Sequence, residues 1–332
     1  MNKWILLGLL IAPVFSQAAD QPGWLDRFTF KGDLRLRLEG REYHLDSRKN
    51  RNRARFRLRL STDAKLTDQL KFHMRLSSGT GDPTSTNQTF DNSFSGKDLL
   101  IDRVQVTYST GDWLVGGGKV KNPLHHTDLI WDSDVNPEGF FQQYKGSHFY
   151  ANLAEFFLEE EATDADINLF VGQLGFRGGD AAKYNVSLAY YSYSNVAVDD
   201  YNFFDLLTTL TFKAGDTPIV LKMNYINNVT DYGSGFDDLD DTAWGVFAKF
   251  GSGKNPGQWT FAAKYAEIEA LSTYISLADA DFGFGDREGF VLSGVYRATK
   301  HVAWGANYFN TKGIRDSDDG DQHLQLDAVI LF

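Results

Sequence analysis

Arginine recurs at every second position through Arg51-Asn52-Arg53-Ala54-Arg55-Phe56-Arg57-Leu58-Arg59-Leu60. A guanidinium is permanently charged and donates its N–H bonds in a fixed fork suited to oxyanions. In a β-strand alternate side chains leave on opposite faces, so this run has one guanidinium face and one of Ala54, Phe56, Leu58 and Leu60. Same-face neighbours lie roughly 7 Å apart. Their repulsion is about 0.6 kcal/mol in water and, as a dry upper bound, about 12 kcal/mol. The arginine face therefore needs water, and the Phe/Leu face needs an apolar cover. A wall between a wet lumen and hydrocarbon meets both demands.

Other residue groups could also carry chemistry. Asp128, Asp132, Asp134 and Glu138 share one connection with Leu124, Leu129, Ile130 and Trp131. A solvated loop seldom holds that apolar set. The expectation is a loop folded inward, its carboxylates toward the basic wall; the alternative is an outer loop packed on its neighbours. Gly116-Gly117-Gly118 precedes it, and consecutive strand glycines mark a bulge or a close approach. His125-His126 with Asp128 are residue types of metal sites and hydrolases. Adjacent side chains diverge, however, the chain has no Cys, and no spacing selects a Ser, His and acid together. Two acidic runs, Asp237-Asp238-Leu239-Asp240-Asp241 and Asp316-Ser317-Asp318-Asp319-Gly320-Asp321, read as solvated loop acid, with divalent-ion bridging to lipopolysaccharide as the functional option. The second lacks the terminal glutamate of a calcium loop. No metal or cofactor is expected.

These residues must be held by strands. Phe28–Glu39 sets Phe28, Phe30, Leu34, Leu36 and Leu38 against Lys31, Asp33, Arg35, Arg37 and Glu39. Leu70–Ser77 and Asp102–Tyr108 alternate likewise, as do segments from Tyr184–Tyr193 to Leu324–Phe332, with weaker candidates at Asp112–Val120, Gly139–Tyr144, Phe149–Leu158 and Ile167–Phe176. Inward positions on the first four strands give one basic patch: Arg35, Arg37, Arg53, Arg55, Arg57, Arg59, Lys71, Arg75 and Arg103. An arginine facing lipid would cost about 2–4 kcal/mol at the midplane, so the lumen is its cheap destination. About sixteen strands, joined alternately by short turns and long loops, predict an all-β transmembrane antiparallel barrel with short periplasmic turns and longer extracellular loops. Aromatics at the ends of the apolar faces (Trp244 and Phe250, Trp259 and Tyr265, Phe290 and Tyr296, Trp304 and Tyr308) suit membrane-interface girdles. A soluble sandwich would also alternate but would not need aromatics at both ends.

The 332 residues are 42% hydrophobic and carry a formal charge of −11. No helical span of about 20 apolar residues follows the first twenty positions. The acidic balance argues against a nucleic-acid partner. Lys3, the apolar run Trp4–Phe15 and Ser16-Gln17-Ala18 predict a signal peptide over 1–18, with the barrel domain over 19–332. The alternative there is an N-terminal membrane anchor.

Gly118-Lys119-Val120-Lys121-Asn122-Pro123, Trp131-Asp132-Ser133-Asp134-Val135-Asn136-Pro137-Glu138-Gly139 and the opening Gly32-Asp33-Leu34-Arg35-Leu36-Arg37 resemble the Putative porin family of Gram-negative outer membranes. The resemblance runs from about residue 28 to the end. It implies a sixteen-stranded barrel for passive diffusion of small solutes, with the loop after the fifth strand narrowing the pore: Asp128, Asp132, Asp134 and Glu138 opposite Arg35, Arg55 and Arg57. It further implies outer-membrane lipid and lipopolysaccharide as surroundings, a homotrimer, and a terminal strand ending in Phe332 that addresses the barrel assembly machinery. The arginine column is similar to the ladder of phosphate-selective porins, but the long loops lack a lysine cluster. The combined expectation is an anion-preferring pore without catalysis; an outer-membrane enzyme or adhesin is the alternative.

Overall fold

The computed structural model describes residues 24–45, 47–196, 201–230 and 241–332. The expected signal segment and Asp237–Asp240 of the first acidic run lie outside the described residues. The strands are β1 (Phe28–Tyr43), β2 (Arg51–Lys65), β3 (Leu70–Ser78), β4 (Gln88–Thr89), β5 (Leu99–Thr110), β6 (Trp113–Lys119), β7 (Glu138–Lys145), β8 (Phe149–Glu159) and β9 (Ile167–Gly178). They continue as β10 (Lys183–Ser194), β11 (Tyr201–Ala214), β12 (Thr217–Asn228), β13 (Thr242–Phe250), β14 (Trp259–Ile268), β15 (Arg287–Arg297), β16 (Val302–Gly313) and β17 (Gly320–Leu331). All but the two-residue β4 form a closed antiparallel barrel of sixteen strands.

Closure is made by β1, which pairs with β2 on one side and β17 on the other, as in Leu36↔Phe56 and Leu36↔Ala328. At the seam Gly32 N–H donates to the Phe332 carbonyl at 2.7 Å, and Phe332 N–H returns the bond at 3.0 Å. The Phe332 ring covers the space a Cβ on residue 32 would need, so glycine is required there. These two bonds carry the β1–β17 ladder through to Phe332, the kind of pairing a hydrocarbon surround demands.

Phe30, Leu38, Leu60, Leu174, Met223 and Leu326 project outward and are exposed, as the alternation predicts for a lipid-facing surface. Aromatic pairs mark both rims. Trp113–Tyr144, Phe149–Phe176 and Trp259–Tyr296 meet at the short-turn end, with ring centroids 5.2, 4.8 and 4.5 Å apart. Tyr190–Phe204, Trp244–Tyr265 and Phe290–Tyr308 meet toward the long-loop end, at 4.9, 5.5 and 6.1 Å.

Two local departures from regular alternation bear on the lumen. The β3–β5 register shifts after Arg75↔Arg103 to Leu76↔Ile101, leaving Asp102 as an extra residue. This bulge turns Asp102 inward against Arg75 and flips the phase, so Ile101 and Leu99 face out together with Val104, Val106 and Tyr108. The expected strand Asp102–Tyr108 therefore begins three residues earlier. In β6, a Cβ on Gly116 would lie 2.6 Å from the Phe141 ring and one on Gly117 2.5 Å from Phe140, while Gly118 sits at φ +116°. The three glycines are a close approach on both faces, followed by a left-handed backbone turn into the loop.

Candidate functional site

The arginine wall lies inside the barrel. Arg35, Arg37, Arg53, Arg55 and Arg57 line a cavity of about 440 Å³ toward the long-loop end. Arg59, Lys71, Arg75 and Arg103 line a second, of about 780 Å³, toward the short turns. Phe56 on the opposite face stacks on Phe90, centroids 5.6 Å apart. All nine basic residues expected to face the lumen line one of these two cavities.

Much of the wall carries its own counter-charge. Arg37 grips Asp327 with Nε and Nη2 at 2.7 and 2.8 Å. Arg57 and Arg59 share Asp33, each at 2.8 Å. Arg53 pairs with Glu39, Arg41 with Asp321 and Arg75 with Asp102. The bidentate Arg37–Asp327 pair fixes the direction of its guanidinium plane. Arg35 instead donates to the neutral Asn87 Oδ1 at 2.6 Å. Arg55 reaches Ser85 Oγ at 3.4 Å and Glu39 only at 3.5 Å. Arg103 donates to Asn136. Asp33 and Glu39 fall in phase with Arg35 and Arg37 along β1, so alternation alone puts them on the basic face; counting only basic residues there understates how far the wall neutralises itself.

Loop 120–137 folds into the lumen. Leu129, Ile130 and Trp131 are 0, 1 and 2% exposed, packed among Phe156, Leu169, Tyr191 and Phe203 from β8 to β11. Trp131 lies 5.7 Å from the Phe156 ring and 6.2 Å from Tyr191. Burying three large side chains contributes about 1.5–3 kcal/mol each, enough to hold the loop in place. Neutral amides secure its start: Gln143 donates to the Pro123 carbonyl and Gln173 to the His125 carbonyl, both at 2.7 Å. His125 sits between Ser187 and Thr209, at 2.8 and 3.2 Å. Burial drives its ring pKa down to about 4, so it is neutral at physiological pH. His126 turns instead toward the Thr127 carbonyl. The two rings diverge, and no group of three or more potential metal ligands occurs among the described residues.

Asp128, Asp132 and Asp134 line the same cavity as Arg35, Arg55 and Arg57. Glu138 does not. It starts β7, bonds Lys119 at 2.7 Å, and is 63% exposed, in phase with the outward Phe140. Leaving the loop for a strand sets its direction by alternation, so it stands apart from the other three acids.

A second loop, 269–286, joins the first inside the barrel. Asp132 N–H donates to the Leu277 carbonyl at 2.7 Å, and Asp279 N–H to the Asp128 carbonyl at 3.1 Å. Lys264 of β14 clamps both loops, its Nζ 2.8 Å from Asp128 and 2.9 Å from Asp279. Tyr274 stacks on Tyr193 at 4.9 Å, and Phe282 is fully buried. Asp132 accepts from Asp134 N–H at 2.8 Å and Ala280 N–H at 3.3 Å. Burial, reinforced by the neighbouring Asp279, lifts its pKa to about 8. The chain also steps inward after Ser78. Asp82, Thr84, Ser85 and Asn87 line the cavity before β4 rejoins β2 at Arg55↔Thr89. Of the second acidic run, Asp319 pairs with Arg48 and Arg287 and Asp321 with Arg41, so these are structural ion pairs rather than freely solvated loop acid.

Aromatic packing under the two loops thus fills the β8–β14 side of the lumen, and the open cavities lie along β1–β3. A closed sixteen-stranded barrel with rim aromatics and a loop-narrowed interior defines the porin class of outer-membrane β-barrels. Residues 42–214, over half of the chain, match the profile of the family described as Putative porin. The chain belongs to that family, and its place is the bacterial outer membrane. Similar solved structures include OprB of Pseudomonas putida (TM-score 0.61, 12% identity, covering 93% of this chain and 95% of that one). OmpF of Salmonella typhi is similar at TM-score 0.59 and 8% identity (92% and 97% covered). OmpT of Vibrio cholerae, in a trimer form, is similar at 0.55 and 12% (92% and 100% covered). No curated protein matches the chain.

Proposed function

We propose that the chain is a passive diffusion channel for small hydrophilic solutes, with a preference for anions. Two polar cavities lined by the β1–β3 wall carry this reading. No Ser, His and acid are assembled for nucleophilic catalysis among the described contacts: His125 bonds Ser187, but no carboxylate orients the ring. The charge preference rests on imbalance. Arg35 and Arg103 have neutral partners and Arg55 shares the single charge of Glu39 with Arg53, whereas Asp128 and Asp279 are held by Lys264 and Asp132 favours its neutral form below about pH 8. A lumen with net positive potential concentrates anions. By analogy with the trimeric OmpT the working unit is a homotrimer in lipid and lipopolysaccharide. It would be exported by a signal over 1–18 and recognised by the assembly machinery through the strand ending in Phe332.

Reversal potential in a planar bilayer under a KCl gradient tests the preference. The sign expected is that of chloride carrying most of the current; a clear cation sign overturns it.

A further inference from the structure

In the wider cavity, toward the short turns, the acids are already engaged. Asp33 and Asp63 line it. Asp33 holds Arg57 and Arg59. Asp63 accepts from Lys31 at 2.5 Å and meets His73 Nδ1 at 2.6 Å. Asp102, at the bulge, is closed by Arg75 and by Asn136 Nδ2 at 2.9 Å. Lys71, Arg103 and Lys121 line the same cavity, and none of them has a carboxylate within 4 Å among the described residues. Strand register brings the three together. Arg103, Gln105 and Thr107 share the inward face of β5, Lys71 of β3 pairs opposite Thr107, and Lys121 N–H donates to Gln105 Oε1 at 2.7 Å. The neutral Asn136 orients Arg103 through its Nε. Lys71 and Lys121 are exposed, so a solute in the cavity can reach them. Like charges also stand directly opposite each other, Lys65 to Lys71 and Arg75 to Arg103, an arrangement that costs stability and that a bound anion would offset.

We propose that this short-turn vestibule is a binding site for small organic anions carrying two or three separate carboxylates. One carboxylate lies in the Arg103 fork and the others meet the Lys71 and Lys121 ammonium groups. The proposal rests on the channel reading and names a solute class for a place in the lumen apart from the loop-narrowed cavity. Spacing selects the class. The four residues from Arg103 to Thr107 span about 14 Å of strand, with Lys121 docked between them. A carbon skeleton with carboxylates on different carbons can reach several of these cations at once. Acetate reaches one, and inorganic phosphate is too compact to bridge them. In pyrophosphate both charged groups hang on one shared oxygen, so its charges lie closer together than the cations do. A guanidinium fork matches the two oxygens of a carboxylate, and the lysines accept the remaining charge without a fixed geometry. The volume of about 780 Å³ admits a tricarboxylate with water around it.

The test is block of KCl current through the intact protein in a planar bilayer at pH 7.5. Citrate, acetate, inorganic phosphate and pyrophosphate are the probes, with swelling of protein-loaded liposomes in a neutral sugar run alongside. Citrate should half-block at a concentration at least about tenfold below each of the other three, the factor one added charge-assisted bond supplies. Lys71→Gln with Lys121→Gln should remove that advantage. Lys145→Gln with Lys213→Gln takes the same charge from exposed positions at the short-turn end outside the cavity and should leave it in place. Because the probe comparison is made on the unaltered chain, it stands even where a variant fails to assemble. Pyrophosphate or phosphate blocking as well as citrate, citrate blocking no better than acetate, or both double variants losing the block alike overturns the site, while sugar swelling leaves the channel standing. Absence of both current and swelling overturns the channel reading and the site with it.

Discussion

Asp132 shows how one carboxyl can link the fold to the current. Its ordinary pKa is 3.8, and burial beside Asp279 raises it to about 8. The unfolded chain loses this proton near pH 4 and the folded chain holds it to about pH 8. The folded state therefore binds more protons across that interval, and stability falls as pH rises through it. Above pH 8 the penalty is constant. Asp132→Asn keeps the Oδ1 acceptor for Asp134 N–H, gives up only the long 3.3 Å bond from Ala280 N–H to Oδ2, and removes the charge. It should raise the thermal midpoint in detergent at pH 8.5 and leave it nearly unchanged at pH 4. The same titration adds a negative charge to the pore, so anion preference should decline between pH 7 and 9 in the parent and hold level in the variant. A midpoint gain that is equal at both pH values contradicts the assignment. The carboxyl's presence was legible in the sequence, but its titration was not: the partner that raises it, Asp279, is 147 positions away on another loop.

At the scale of elements, the inserted loops set the bore. Trp131 is the hub, in contact with β8 and β10 through Phe156 and Tyr191. Truncating such a buried side chain costs about 3–5 kcal/mol, more than one neutral hydrogen bond supplies. Trp131→Ala should therefore loosen the loop while the strand ladder persists. Single-channel recordings should show larger, noisier openings with the circular-dichroism spectrum unchanged; parent-like steady openings would show that the loop does not limit the current. Loop 120–137 could be read as an insert because Leu129, Ile130 and Trp131 sit among acids. Loop 269–286 has a similar mixture, with Leu277, Phe282 and Phe284 beside Asp279 and Asp281, but nothing local ties it to Lys264 or to the first loop. The β5 bulge was hidden for a different reason: alternation predicts direction only while one residue faces one, and the extra Asp102 breaks the count.

At the scale of the whole molecule, the barrel itself was legible because hydrocarbon and water impose a period of two on every strand. Its lopsided filling was not. Apolar inward residues such as Tyr191, Phe203 and Ile226 look in sequence like strand ends or phase errors, and they make sense only once the loops cover them. The central claim is that the conducting path follows the guanidinium row rather than the barrel axis. The chain has no Cys, so single cysteines report position without background. Cysteines placed at Arg55, Tyr191 and Leu58, one at a time, probe the wall, the filled side and the lipid face. A water-soluble, charged thiol reagent added during bilayer recording should cut the current through Arg55→Cys and leave Tyr191→Cys and Leu58→Cys unaffected. Current loss at Tyr191→Cys or Leu58→Cys, with Arg55→Cys inert, would contradict the account.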